Sequence, residues 1–336
     1  MRVGETAMRP RQNARAGVRT HRPGPEELVQ TAAMARLFYL ENKSKIEIAE
    51  EFGISRFKVA RMLENAIRDG LIRLEIHLPA ELDADLSDAL RTRFDLTHAI
   101  VFTSPAQGPG GEGPAPVTHR LGAVAADLLT EIVTEGDVLG LVWGPEIEAM
   151  CPELTALPRC TVVQLSGVAP LRPIDVNAVE AVRRTAFVAR GIAYPIYAPL
   201  LLPDGAAARM LRQQPGIAEA IGQFNRVTKA VITVGAWGPG LSTVYDALSE
   251  RERQGYRRQG GCAEIAGHLL DAEGRIVAPQ LSERIIAVGL EELRQVPDVI
   301  LLADGAKRAA ATSAALKTGL FNGIVTDASV AEHLLA

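Results

Sequence analysis

At 336 residues, with 47% hydrophobic, 23% charged and only 4% aromatic residues, the chain is long enough for two or three domains with a sizeable core. No apolar run approaches the roughly 20 residues of a membrane span. The arginine-rich N-terminus has no apolar stretch behind it, which argues against a secretory signal and for a cytoplasmic protein. The net charge of −4 is unevenly held: residues 1–78 carry 14 Lys and Arg against 10 Asp and Glu, and the remainder 22 against 30. A basic head on an acidic body suits a protein that offers one end to phosphates, although six of those cations fall in the first 22 residues. Cys151, Cys160 and Cys262 show no CxxC pairing, and the six His show no HxH or HxxxH spacing, so neither a metal nor a cofactor is expected.

In chain order, residues 1–25 scatter Arg, Pro and Gly without hydrophobic period and read as a disordered basic tail. Residues 26–78 read as three helices and a short strand. Residues 79–97, opening at Pro79 and continuing as ELDADLSDALRTRF, read as a linker helix. From residue 98 to 336, short runs rich in Val, Ile and Leu alternate with helical segments. The strand candidates are HAIVF (98–102), DVLGLVW (137–143), CTVVQLSG (160–167), AYPIYAP (193–199), KAVITVG (229–235), DVILLADG (298–305) and GIVTD (323–327). Near-continuous apolar strands separated by helices predict a mostly parallel α/β sheet covered on both faces. The stretch 104–116, SPAQGPGGEGPAP, is a flexible loop by composition.

The segment KIEIAEEFGISRFKVARMLE, residues 45–64, has the spacing of a helix-turn-helix. Such a unit needs a small residue at the helix crossing and a turn residue tolerant of positive φ, together with an apolar set facing the core. Ala49, Gly53 and the set Ile48, Phe52, Ile54, Val59 and Met62 supply these, and Ser55 is placed to cap the second helix. The upstream LVQTAAMARLFYLEN provides a supporting helix with Ala33, Leu37 and Leu40 on one side. The positions left free on the second helix are polar and mostly basic. Ser55, Arg56, Phe57, Lys58, Arg61, Asn65 and Arg68 are therefore the expected DNA-binding residues, with Arg suited to guanine O6 and N7 in the major groove. Gly70 stops that helix, and LIRLEIHL (71–78) alternates as a strand, predicting a winged variant. A helical bundle that never touches DNA is the plainer alternative; the joint register of Ala, Gly and apolar residues favours the reader.

With these residues in place, the chain resembles the SorC group of bacterial sugar-binding transcriptional regulators. The resemblance covers about residues 28–336. It is carried by ARLFYLENKSKIEIAEEFGISRFKVARMLENAIRDGLIRLEI in the first domain. In the second it is carried by GLVWG (140–144), VVQLSG (162–167), AEIAGHLLDAEGRIV (263–277) and the tail from DVILLADG onward. The resemblance implies a C-terminal domain similar to phosphosugar isomerases of the NagB/RpiA-like fold, which binds a small sugar, polyol or sugar phosphate and thereby changes affinity for double-stranded operator DNA. It also implies a homodimer or homotetramer, with no membrane partner.

Ligands of parallel sheets collect beyond the carboxyl ends of strands, near helix N-termini. Gly144, Pro145 and Glu146 occupy one such loop. Similar family members carry Gly-Arg-Thr or Gly-Thr-Thr there, suited to a phosphate; the carboxylate of Glu146 repels one, so a neutral sugar or polyol is expected. Glu264 matches the acidic residue that holds sugar hydroxyls in the family, and Lys307 matches its effector-site lysine, alongside Asp304 and Gly305. Gln164 and Ser166 end VVQLSG at the same crevice, Asp175 and Asn177 lie on a flanking loop, and Trp237 is placed to close the site as a lid. Each has a plainer reading as surface charge, turn former or core aromatic. A sugar-phosphate isomerase or deaminase with a helical appendage is the alternative function. It lacks a convincing acid/base pair and its phosphate anchor is damaged, so no enzyme is expected.

Overall fold

The computed structural model describes residues 24–73, 81–103, 117–168 and 178–336. Residues 1–23 of the expected tail, the expected wing beyond Arg73, the loop 104–116 and the loop bearing Asp175 and Asn177 lie outside the described residues. The chain divides into two compact units, Met1–His77 and Leu78–Ala336.

Among its described residues the first unit holds three helices: α1 (Pro25–Tyr39), α2 (Lys45–Phe52) and α3 (Arg56–Arg68). Pro25 opens α1 with Glu26 and Glu27 in its first turn, where the helix dipole favours acids. A reciprocal capping box starts α2: Glu47 N–H donates to Ser44 Oγ at 3.3 Å, and Ser44 N–H to the Glu47 carboxylate at 2.8 Å. Gly53 then turns the chain at φ 64°, a conformation costing other residues about 1–2 kcal/mol. On α3, Val59, Met62, Leu63 and Ala66 recur at helical spacing and pack on Met34, Leu37, Ile48 and Ala49. Leu40, expected beside Leu37, is 74% exposed, because α1 ends at Tyr39 and Leu40 is its C-cap. Leu71–Arg73 form no strand.

The second unit is built on a sheet with strands β1 (Leu82–Asp83), β2 (His98–Phe102), β3 (Val138–Leu141), β4 (Thr161–Gln164), β5 (Ala193–Tyr194), β6 (Lys229–Ala236), β7 (Ala263–Ile265), β8 (His268–Leu270), β9 (Asp298–Ala303) and β10 (Gly323–Asp327). Their order is β1-β2-β10-β9-β6-β3-β4-β5, with β7 and β8 appended to β6. From β2 to β5 every pair is parallel; β1 runs antiparallel to β2. Alternation sends Ile232 and Leu301 to one core, with Leu90 and Ala314, and Val231, Ile300 and Leu302 to the other, with Leu121 and Ile147. Helices thus cover both faces, as the apolar strands predicted.

Two expectations need correction. Residues 79–97 do not form a free linker among the described positions: β1 and α4 (Ala84–Phe94) belong to the sheet unit, where Leu90 is fully buried and Val101 N–H donates to Ser87 Oγ at 2.9 Å. The β7–β8 hairpin was not foreseen. Its two-residue turn is Ala266-Gly267, both at positive φ, which an Ala advertises poorly. The strand AYPIYAP shrinks to Ala193–Tyr194, since Pro195 cannot donate to a ladder.

The chain order makes a switch between β3 and β6. From β3 the sheet grows outward through β4 and β5, then β6 returns on the other side of β3 and growth continues through β9 and β10. After β3 comes α6 (Pro145–Glu153), packed on α5 (Val117–Ile132) so closely that a Cβ on Gly122 would lie 2.5 Å from the Ala149 carbonyl carbon. Gly122→Ala should therefore destabilise this unit by about 1–3 kcal/mol in urea unfolding. Gly255→Ala, in helix Glu250–Arg258 with nothing within 4 Å of its Cβ, should leave stability unchanged or raise it. Equal effects from both would contradict the packing described.

Candidate DNA-reading face and effector crevice

In the first unit, packing of Val59, Met62, Leu63 and Ala66 turns the opposite side of α3 to solvent. Arg56, Phe57, Lys58, Arg61 and Arg68 are exposed and Asn65 is half-buried. Ser55 caps the helix, accepting from Lys58 N–H at 3.2 Å. The Arg56 guanidinium lies over the Phe57 ring at 4.8 Å, so an apolar plane and a cation are presented together. Arg68 donates to Asn65 Oδ1 at 2.7 Å, which occupies that amide oxygen and leaves its NH2 to donate. Sequence reasoning passed over Glu64, exposed between Arg61 and Arg68. Its carboxylate adds an acceptor to a face otherwise made of cations and amides.

In the second unit a crevice opens at the switch point, beyond the carboxyl ends of β3 and β6, where open sheets bind ligands. Its lining includes Trp143, Gly144, Glu146, Ser166, Thr233, Ser242, Glu264 and Arg308. Gly144 is needed at its place, since a Cβ would lie 2.7 Å from Thr233 Oγ1 and 2.8 Å from a Glu146 carboxylate oxygen. Glu264, on β7, accepts from Ser242 Oγ at 3.0 Å through one oxygen and from Gly267 N–H at 2.7 Å through the other. Burial pushes its carboxyl above the ordinary range, and these two donors oppose the shift. With two oxygens and one protein donor on each, Glu264 retains acceptor capacity for hydroxyl groups.

The opposite wall is ionic. Glu146, in the first turn of α6, is 1% exposed, and its carboxyl is pushed up to about 7, chiefly by burial; Arg308 opposes the shift and Asp304 adds to it. The Arg308 guanidinium lies 3.6 Å from Glu146 and donates to Asp304 Oδ1 at 2.8 Å. Asp304 also accepts from the Thr118 hydroxyl. Arg308 Nε is buried and finds no acceptor among the described residues.

Of the residues expected at this site, the structure brings Gly144, Pro145, Glu146, Ser166 and Glu264 together. Asp304 stands behind them, and Gly305 turns the chain at φ 78° with its N–H bound to Asp327 at 2.6 Å. Lys307 is exposed and outside the lining; the neighbouring Arg308 takes the inward place, because in the tight turn Ala306–Arg308 adjacent residues point well apart. Gln164 is buried and spends its amide on Ser166 O and on Ile196 N–H. Trp237 is no lid: it is packed against Tyr245 and Tyr256, and its indole N–H is satisfied by Arg253 O at 3.3 Å. Arg308, Ser242 and Thr233 were missed. Only Arg308, one place from the expected lysine, carried a signal.

A model of the Sugar-bind family, a sugar-binding domain, matches residues 79–336. The chain is 30% identical over 305 residues to the transcriptional regulator YjhU of Escherichia coli (strain K12), covering 89% of this chain and 92% of that one. The chain belongs to the sugar-binding family of transcriptional regulators. The deoxyribonucleoside regulator of Bacillus subtilis (strain 168) is 26% identical over 304 residues, covering 90% and 95% of the two chains. The full-length sorbitol operon regulator SorC from Klebsiella pneumoniae has the same fold, with TM-score 0.68 and 19% identity over 93% of this chain and 100% of that one. Among the described residues there is no His, Cys, Asp and Glu cluster able to hold a metal, and no helix long and apolar enough to cross a membrane.

The burial of Glu146 carries a stability penalty that can be measured. The folded chain holds a proton on Glu146 up to about pH 7, whereas an ordinary glutamate releases it near 4.5. Between those values the folded state binds more protons than the unfolded, so stability falls as pH rises, and the whole penalty is present above pH 7. Glu146→Gln should therefore raise the unfolding free energy at pH 8 by up to about 3 kcal/mol, and by progressively less towards pH 5. Urea melts in which the variant is less stable at pH 8 than at pH 5.5, relative to the parent, would contradict this assignment.

Proposed function

We propose that this regulator controls a carbohydrate-catabolism operon, binding double-stranded operator DNA through α3 with an affinity set by a small sugar or polyol in the β3–β6 crevice. The observation that carries the reading is Glu264: a buried carboxylate with spare acceptor capacity, held by Ser242 and Gly267 at the switch point of a parallel sheet. The names of the relatives support the same reading. A homodimer or homotetramer suits it, because helix-turn-helix units read paired half-sites one helical turn apart, and an effector that favours one arrangement of the two readers changes affinity for both. The protein acts in the cytoplasm, with no cofactor.

One observation favours an isomerase-type enzyme: a buried Glu146 titrating near 7 has the pKa of a general base. The sensing role is preferred because Glu146 sits against Arg308, at the place where a phosphosugar substrate needs its anchor.

The two sites separate by mutation. Arg61→Ala should weaken binding to the fragment upstream of the controlled operon by about 1–3 kcal/mol in fluorescence anisotropy and flatten its salt dependence. The sugar-induced rise in melting temperature should survive that change. Glu264→Ala should do the reverse. Turnover of ribose or glucosamine phosphate without DNA, or loss of both activities from each folded variant, would count against the proposal.

A further inference from the structure

The first turn of α6 is an anion seat. Gly144 provides no side-chain cap, and Pro145 contributes no N–H, so the free donors begin at Glu146. The Arg308 guanidinium faces the same point. Helix-terminal N–H groups, the positive end of a nine-residue helix and a guanidinium together make an environment for a phosphate or carboxylate. In this chain a carboxyl group of the protein itself takes that place. One Glu146 carboxylate oxygen lies 2.8 Å from the point a Gly144 Cβ would take, and the other 3.6 Å from Arg308, with the residue wholly buried.

We propose that Glu146 is a specificity-determining residue which fills the phosphate seat of the crevice, so that the effector is an unphosphorylated sugar or polyol. The inference rests on the reading of the crevice as an effector site and adds its ligand class. Three features carry it. First, Arg308 is the sole cation of the described lining, and it is already divided between Asp304 and Glu146. A phosphate would have to displace Glu146 or lie against it. Second, the other wall offers Glu264, whose carboxyl oxygens are acceptors for hydroxyl groups and supply no donor set for a phosphate. Third, apart from the Trp143 indole, the remaining polar side chains of the described lining, Ser166, Thr233, Ser242 and Thr243, are hydroxyls. An uncharged polyol matches acceptors and hydroxyls on both walls. A dianion matches the helix end alone.

The test uses the full chain and measures inorganic phosphate binding by calorimetry at pH 8, for the parent, Glu146→Gln and Glu146→Ala. Glutamine keeps the shape and removes the charge, whereas alanine also empties the seat. A thermal-shift panel of pentoses, hexoses and polyols with their monophosphates is run beside it. Phosphate should bind at least tenfold more tightly to one or both variants than to the parent, and Arg308→Gln in the same background should abolish the gain. In the panel the parent should be stabilised by a free sugar or polyol more than by its phosphate, and Glu146→Ala should reverse that order. Unchanged phosphate affinity in both variants, or a parent that prefers a sugar phosphate to its parent sugar, overturns the proposal. A panel in which no sugar binds any form, with the phosphate gain intact, removes the sugar reading and leaves the anion seat standing.

Discussion

The crevice at the β3–β6 switch point is organised by one guanidinium, that of Arg308, shared between Asp304 and the buried Glu146. Taking a carboxylate out of water costs several kcal/mol, and ion pairing regains that only when the geometry is good. At Glu146 the regain is partial. The pair is 3.6 Å apart and the carboxyl is pushed up to about 7, so the ionised form is disfavoured where it sits. An apolar residue of similar size would suit the fold better. Unrelieved charge in a buried site is common where a protein binds ligands, and here it lies at the strand ends where the topology provides a place for one.

The scaffold holds that arrangement from below. At the opposite ends of the same strands, Lys229 of β6 binds Asp298 of β9 at 2.7 Å and approaches Asp137, just before β3, at 3.8 Å. Thr228 closes the group by donating to Asp137 at 2.7 Å. β3, β6 and β9 are thus tied at their N-terminal ends, and the crevice lies past the last β3–β6 pair, Leu141 with Val231. The close approach of α5 and α6 at Gly122 fixes the axis of α6, and with it the place of Glu146. In the first unit the equivalent constraint is Gly53. Its left-handed turn sets the angle between α2 and α3, and so decides that the cations of α3 stay in solvent.

What could be read from the sequence was what local chemistry determines. Ala49, Gly53, Ser55 and the apolar period of α3 act within a few residues of one another, and the alternation of apolar runs with helices required a parallel sheet. Errors arose where a neighbour distant in sequence decides. Trp237 was read as a lid because nothing near it announces that Tyr245 and Tyr256 fold over it. Gln164 was aimed at the crevice, yet Ile196 claims its amide. The choice between Lys307 and Arg308 depends on a single tight turn, and adjacent cations look alike in a sequence. β1 pairs over two residues, too few for a pattern, so a strand and helix of the sheet unit passed as a linker. The departure at Pro145-Glu146 was legible, as was its conflict with a bound phosphate; that Arg308 stands opposite was not.

Together the two sites make a regulator only if they are coupled. Coupling is reciprocal for binding free energies: if a sugar changes operator affinity by some factor, saturating operator changes sugar affinity by the same factor. The most direct measurement is therefore the sugar dissociation constant of the full chain with and without saturating operator DNA, beside the operator dissociation constant with and without saturating sugar. The account predicts two equal ratios, both different from one. A sugar that binds in the crevice with the same affinity whether or not DNA is present would contradict it.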